Sequence, residues 1–248
     1  AGFADGRICS YAYPSMSLYS AFPAHATNDP VLDIFPTEAG ILSISRSKIS
    51  LHRRGGVVLQ SRRQSDNTPF KDLTCAAPFR QHSVAVATGR GSDQKGLRQV
   101  HVYDIAYAMQ QTQRTPELDS EVVSLVAQKH EFGGHGNPNL LFAGCRDGNV
   151  LIYDSRMDFD SPVQTIVGMQ KGKIRSMATR NSMLVTCGMS EAGSVGFHNN
   201  FRMQMLDEDD EAPDLFVNLV DLRMVQVCLN SQYCRVLVVV GVVFVLAH

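Results

Sequence analysis

The sequence predicts an all-β chain assembled from repeated four-stranded antiparallel units. Three observations carry that expectation. A phrase recurs, since AGFADGRICSY at residues 1–11 returns as AGCRDGNVLIY at 143–153. Short apolar runs alternate with clusters of turn-forming residues along the chain, the pattern of hairpin-linked strands. No stretch places apolar residues at the three- and four-residue spacing of a capped amphipathic helix.

Taken in chain order, the first unit enters through the tight turn Asp5-Gly6, runs into a strand carrying Tyr11, and continues through SLYSAF to His25. Asp and Gly suit such a turn because both tolerate the backbone φ values it demands. KISLHRRG at 48–55 is a weaker copy of the phrase, and VHVYDIA at 100–106 supplies Tyr103-Asp104. The clearest unit runs VVSLVAQ (122–128), the turn EFGGHGNPN, LLFAG (140–144), the turn at Asp147-Gly148, VLIYD (150–154) with Tyr153-Asp154, and VQTIVG (163–168). VNLVDLR at 217–223 carries Val220-Asp221. With Tyr11, Leu51, Tyr103, Tyr153 and Val220 as equivalent points, the spacings are 40, 52, 50 and 67 residues. The shortest fits the roughly 40–45 residues of a propeller blade, and the longer ones imply loop insertions. Blades are therefore expected over 1–224, about four to five of them. Residues 225–248 are read as an apolar, strand-like tail, divergent or truncated. Its run VLVVVGVVFVLA (236–247) falls short of the roughly 18–20 residues of a membrane-spanning helix, and its valines favour a buried strand.

The 248 residues hold 23 Lys+Arg against 24 Asp+Glu, so a net charge of −1 gives no general attraction to nucleic acid or to a membrane surface. A hydrophobic fraction of 44% supplies a sizeable core and excludes intrinsic disorder as a whole-chain reading. Six scattered cysteines without a C-x-x-C pair read as reduced thiols of a cytosolic or nuclear protein, with Cys145 and Cys187 in the core. The chain opens on Ala without a basic-then-apolar leader, which suggests a fragment or a trimmed chain.

A unit that ends in an apolar–x–apolar–aromatic–Asp strand, entered through Asp-Gly, resembles the WD repeat. Trp is absent, with Tyr or Val in its place at Tyr103-Asp104, Tyr153-Asp154 and Val220-Asp221. SLYSAFPAHATNDPVLDIFPTEAGILSISRSKISLHRRGG (17–56), AGCRDGNVLIYD (143–154), IRSMATRNSMLVTCGMS (174–190) and NLVDLRM (218–224) together resemble the N-terminal propeller of the catalytic subunits of poly(A) nuclease deadenylation complexes. That resemblance implies a seven-bladed WD-repeat domain. It also implies an adaptor subunit and poly(A)-binding protein as partners, no membrane, and a cytoplasmic location that includes P-bodies. In that family a linker, a ubiquitin-hydrolase-like domain and a metal-dependent 3′ exonuclease domain follow, and none of these fits in 248 residues. Deadenylation and its divalent metal are implied for the parent protein, and no catalytic residue, metal or other cofactor for this chain. A WD-repeat scaffold of an unrelated complex, such as a ubiquitin-ligase or trafficking adaptor, stays open as the alternative.

Other chemistry fares worse. Asp207-Glu208-Asp209-Asp210 are four neighbours in one stretch, whereas two-metal chemistry needs carboxylates converging from separate elements. A solvated loop explains them. His130-Glu131 with His135 is one residue too long for two zinc ligands on a helix face, and Gly133-Gly134 opposes a helix. The glycines of 91–96 lack the Lys and hydroxyl of a phosphate loop, and those of 193–196 miss the spacing of a nucleophile elbow. The basic run Arg46, Lys48, His52, Arg53 and Arg54 is the one charged patch with a potential role, in contacting RNA phosphates or an acidic partner. Strand alternation would turn Arg46, Lys48 and His52 to one face. With no aromatic interleaving, base-specific readout is not expected. His25 holds the place where WD units keep a hydrogen-bonding histidine, so its expected role is structural.

Overall fold

A computed structural model describes residues 1–53, 55–62, 70, 72–90, 97–128, 137–170, 172–180, 183–190, 212–221 and 242–244. The chain divides into two compact units, Ala1–Asp119 and Ser120–His248. Among the described residues there is no helix, so none is long and apolar enough to cross a membrane.

The first unit contains β1 (Arg7–Ala12), β2 (Ser17–Pro23), β3 (Val31–Thr37), β4 (Gly40–Ser45), β5 (Ile49–His52), β6 (Val58–Arg62), β7 (Leu73–Phe79), β8 (Ser83–Thr88), β9 (Gln99–Asp104) and β10 (Gln110–Arg114). They form a two-stranded sheet, β1-β2, and two four-stranded sheets, β3-β4-β5-β6 and β7-β8-β9-β10. The second unit contains β11 (Val122–Ala127), β12 (Leu140–Cys145), β13 (Val150–Asp154), β14 (Gln164–Ile166), β15 (Ile174–Arg180), β16 (Met183–Ser190), β17 (Ala212–Asp221) and β18 (Val242–Phe244), in the sheets β11-β12-β13-β14 and β15-β16-β17-β18. Neighbours in every sheet are consecutive and antiparallel, as short connections require.

The third strand of each four-stranded sheet carries the reference residue of the repeat. Val84 pairs with Tyr103, Leu141 with Tyr153 and Leu184 with Val220, all in one register. In β5 that register selects His52, opposite Ile41, and moves the equivalent point one residue on from Leu51. Facing gives the reason, because a one-residue slip turns every side chain to the other side. Tyr103 packs toward Leu42 and Leu51 of the preceding sheet, and Val220 likewise toward Phe142 and Ile152 of the sheet before its own. His52 likewise faces back, its ring centroid 5.4 Å from that of Phe22, whereas Leu51 faces forward.

Both halves of the repeated phrase have a packing role. A Cβ on Gly2 would sit 2.6 Å from Val31 Cγ1, and one on Gly144 would sit 2.8 Å from Ile174 Cγ2, so each glycine admits the first strand of the next sheet. Gly6 and Gly148 close their turns at φ 77° and 83°, a region open to Gly. Their carbonyls accept the N–H groups of His25 and Gln170, both at the start of the next unit.

One recurring feature left no trace in the sequence reading. The first strand of every four-stranded sheet skips a residue near its start, at Leu32, Thr74, Val123 and Arg175. Such bulges increase strand twist. Large apolar side chains fill the space between sheets, and Phe142 and Tyr153 are almost wholly buried. The Tyr153 hydroxyl has no hydrogen-bond partner among the described residues. Tyr153→Phe is therefore expected to raise the unfolding free energy by about 1 kcal/mol, measured by urea denaturation, since it removes an unpaired buried polar group.

Candidate functional site

The predicted basic patch does not form one surface. Arg46 and Lys48 belong to the turn between β4 and β5, closed by the Ser45 N–H donating to the Lys48 carbonyl at 3.0 Å. Strand alternation therefore does not govern them, and His52 is buried rather than beside them. Arg46 lies 3.7 Å from Asp72, and its carbonyl accepts the Leu73 N–H at 2.9 Å. In the same turn Asp29 Oδ2 accepts the hydroxyls of Ser45 and Ser47 at 2.7 and 2.5 Å. Arg53 leaves the other end of β5, exposed, in a turn closed by its own N–H donating to the Val57 carbonyl at 2.9 Å. A four-residue strand separates the two ends by roughly 15 Å. Arg54 lies outside the described residues, as do 91–96, His130, Glu131, His135, 193–196 and 207–210.

His25 reaches from the loop after β2 into the β3–β6 sheet. Its Nε2 is 2.8 Å from Ser43 Oγ, and His52 Nε2 meets the same oxygen at 3.0 Å. One hydroxyl proton cannot serve two acceptors, so at least one of the two rings donates to Ser43. Burial, with a smaller contribution from Lys48, pushes His25 down to about 4, and Asp29 opposes the shift. Burial also lowers His52 and His101. Below pH 6.5 the unfolded chain takes up protons that the folded chain refuses, so stability falls as pH drops from 6.5 toward 4. From His25 alone the expected loss is about 2 kcal/mol by pH 4.5, read as a shift in urea midpoint, and His25→Gln should flatten that slope.

The recurring acids of the repeat cap turns. Asp5 accepts the Arg7 N–H and Nε, and although burial works against it the Arg7 contacts hold its carboxyl below the usual range. Asp147 accepts the Asn149 N–H at 3.1 Å, Asp104 those of Ala106 and Tyr107, and Asp154 that of Arg156 at 3.0 Å. The backbone of Asp221 ends β17. Cys9, Cys75 and Cys145 are buried. Burial, aided by Asp147, pushes Cys145 up to about 12. Cys187 is only half-buried, because on β16 it takes the face opposite Leu184 and Thr186. Among the described residues no group of three or more His, Cys, Asp or Glu is placed to hold a metal ion.

Sequence reasoning missed an aromatic surface. Tyr13, Met16, Leu18 and Tyr19 on the β1–β2 hairpin are all exposed, Tyr13 at 92%. Its signal was present in SYAYPSMSLYS, a stretch rich in tyrosine where an edge hairpin leaves alternate side chains outside.

No family model matches the chain. Two curated relatives, each described as the PAN2-PAN3 deadenylation complex catalytic subunit PAN2, are similar in sequence. The Kluyveromyces lactis protein is 23% identical over 228 residues, which is 91% of this chain and 17% of the relative. The Phaeosphaeria nodorum protein is 27% identical over 187 residues, 75% of this chain and 15% of the relative. The chain is homologous to PAN2 over most of its length. It spans about a sixth of the length of these PAN2 relatives. Among solved structures, the Neurospora crassa Pan2 WD40 domain superposes with a TM-score of 0.64 at 17% identity, covering 90% of this chain and 58% of that one. A chain of the Mitotic Checkpoint Complex superposes with a TM-score of 0.62 at 14% identity, covering 90% and 56%. The all-β fold of WD40 blades follows from these superpositions and from the repeated four-stranded sheets.

Proposed function

We propose that the chain is a non-catalytic docking module of a poly(A)-specific deadenylase subunit. The observation that carries this reading is its similarity to the Kluyveromyces lactis PAN2 across 91% of the chain. On this reading the exonuclease chemistry and its divalent metal belong to other parts of a PAN2-like protein, and this chain needs no cofactor. Its partners are a PAN3-type adaptor subunit and poly(A)-binding protein on messenger RNA tails in the cytoplasm, P-bodies included. Several weak contacts on one body raise the effective concentration of a tethered nuclease at its substrate without any tight single site. Arg53 suits an acidic partner or RNA phosphates, and the Tyr13–Tyr19 hairpin suits an apolar protein surface.

The near-equal likeness to the Mitotic Checkpoint Complex chain favours a second reading, an interaction scaffold of an unrelated complex such as a ubiquitin-ligase or trafficking adaptor. Sequence similarity weighs for the first. Capture of the purified chain by an immobilised PAN3-type adaptor or by poly(A)-binding protein distinguishes them, and retention by neither ends the deadenylase reading. Within it, Arg53→Glu with Arg54→Glu should weaken partner or RNA binding severalfold and flatten its salt dependence. Arg46→Glu, at the far end of β5 and already beside Asp72, should change it by less than about twofold. Fluorescence titration at two salt concentrations reads both.

A further inference from the structure

The junction between consecutive sheets is built twice from the same parts, once with groups that titrate and once without. At the first, the Gly6 carbonyl accepts the N–H groups of Ala24 and His25 at 3.0 Å, and His25 Nε2 meets Ser43 of β4. At the second, the Gly148 carbonyl accepts the Gln170 N–H at 3.1 Å, and Gln170 Nε2 donates to the hydroxyl of Thr186 on β16 at 3.0 Å. Ser43 and Thr186 hold equivalent places, opposite Ser50 and Asn218, which stand two residues ahead of His52 and Val220 on the third strands. Among the described residues the buried Oε1 of Gln170 has no partner, and neither has the buried Nδ1 of His25. The likeness assigns the His25 tautomer. Its Nε2–H takes the role of the Gln170 amide and donates to Ser43, and its Nδ1 is a bare lone pair. The Nδ1 of His52 is buried and unpartnered too, and the same tautomer serves it best, because an orphaned buried N–H is rarer than an orphaned acceptor. Ser43 then accepts from both rings through its two lone pairs and turns its own proton to the Ser50 carbonyl, 3.4 Å away.

This arrangement needs both imidazoles neutral. A proton added at either Nδ1 would create a buried N–H with no acceptor among the described residues. The charged groups around the pair offer little relief. Lys48, in the turn between β4 and β5, opposes positive charge on both rings, and Asp29 favours it on His25 but already accepts the hydroxyls of Ser45 and Ser47. Asp5 and Arg7, on the Gly6 turn, pair with each other at 2.6 Å, Arg46 lies beside Asp72, and Asp33 of β3 accepts the Ala76 N–H. Arg53, after His52, adds a further positive charge. We infer that His25, Ser43 and His52 form an acid-released latch between the β1-β2 sheet and the β3-β4-β5-β6 sheet. Proton uptake by the imidazole pair withdraws His25 from Ser43 and opens the backbone bonds of Ala24 and His25 to Gly6, while the junction at Gln170 stays closed. Burial holds both rings below the ordinary histidine range, His25 at about 4. The latch is therefore fully closed above pH 6.5 and is lost as pH falls toward about 4. Gln170, Thr186 and Val220 carry no group that titrates in that window.

Amide hydrogen exchange of the whole chain at about pH 6.5, 5.5 and 4.5, corrected for the intrinsic rate at each pH, reads the latch. Opening at the Ala24 and His25 amides should grow about five- to tenfold for each unit of pH lowered, the slope of one proton taken up, and both amides should stay less protected than Val86 of β8. Opening at the Gln170 amide should change by less than about twofold. A flat response at Ala24 and His25, an equal slope at Gln170, or protection equal to that of Val86 overturns the inference. His25→Gln with His52→Val gives the first junction the side chains of the second. It should keep the protection seen at pH 6.5 and abolish the slope, and a slope that survives overturns the latch. Should that double variant lose its protection at pH 6.5, the nitrogen-15 shifts of the His25 ring in the parent chain decide. An Nε2–H tautomer that ionises below about pH 5 supports the latch, and an Nδ1–H tautomer or ionisation above that pH overturns it.

Discussion

Phe142→Ala is expected to lower the unfolding free energy by about 3–5 kcal/mol, the usual cost of emptying a fully buried aromatic site. Phe142 is fully buried on β12 and packs in one cluster with Val150 and Ile152 of its own sheet and Ile174, Met177, Leu184 and Val220 of the next. Its ring fills the space between two sheets, so truncation removes contacts on both sides and leaves a cavity that neither rigid sheet can close. For a domain with a total stability of about 5–15 kcal/mol, that is a large share. Thermal and urea unfolding read the loss. Val167→Ala, at a residue 70% exposed, supplies the comparison and should stay within about 0.5 kcal/mol of the parent. A loss below about 1 kcal/mol for Phe142→Ala would mean that the two sheets do not share this core.

Gly148→Ala should cost about 3 kcal/mol or more, for two separable reasons. The first is conformational, because Gly148 has φ 83°, where an L side chain meets its own backbone. The second is steric, because the added methyl would collide with the Gln170 carbonyl oxygen. Gln170 cannot simply withdraw. Its N–H donates to the Gly148 carbonyl at 3.1 Å, and its Nε2 donates to the carbonyl and hydroxyl of Thr186 at 3.2 and 3.0 Å. Gly168→Ala isolates the first reason. Gly168 has φ 66° with open space where a Cβ would stand, so its substitution should cost only about 1 kcal/mol. Equal losses at the two glycines, measured by urea denaturation, would remove the steric part of the account.

The repeat was legible because its chemistry is local. Asp147-Gly148 and Asp5-Gly6 specify turns through their own backbone preferences, and Tyr103-Asp104 and Tyr153-Asp154 mark the ends of third strands that the structure places in one register. His52 was not legible as the fourth such position. Nothing in KISLHRRG distinguishes Leu51 from His52 until the partner strand shows which of them faces Phe22. The basic run misled for a related reason. Consecutive positive charges suggest one patch, yet a short buried strand within the run sends Arg46 and Arg53 to opposite ends.

By itself, the amino-acid order determined strand content, the turns that divide it and the repeat that makes the units alike, because turn φ preferences and period-two hydrophobicity act over a few residues. Only the tertiary structure decided which face each strand buries, where each first strand bulges, and that Ser43 holds two histidines. Those outcomes depend on residues distant in the chain meeting across a sheet or between sheets, and burial against a partner cannot be computed from the neighbours of a residue in sequence.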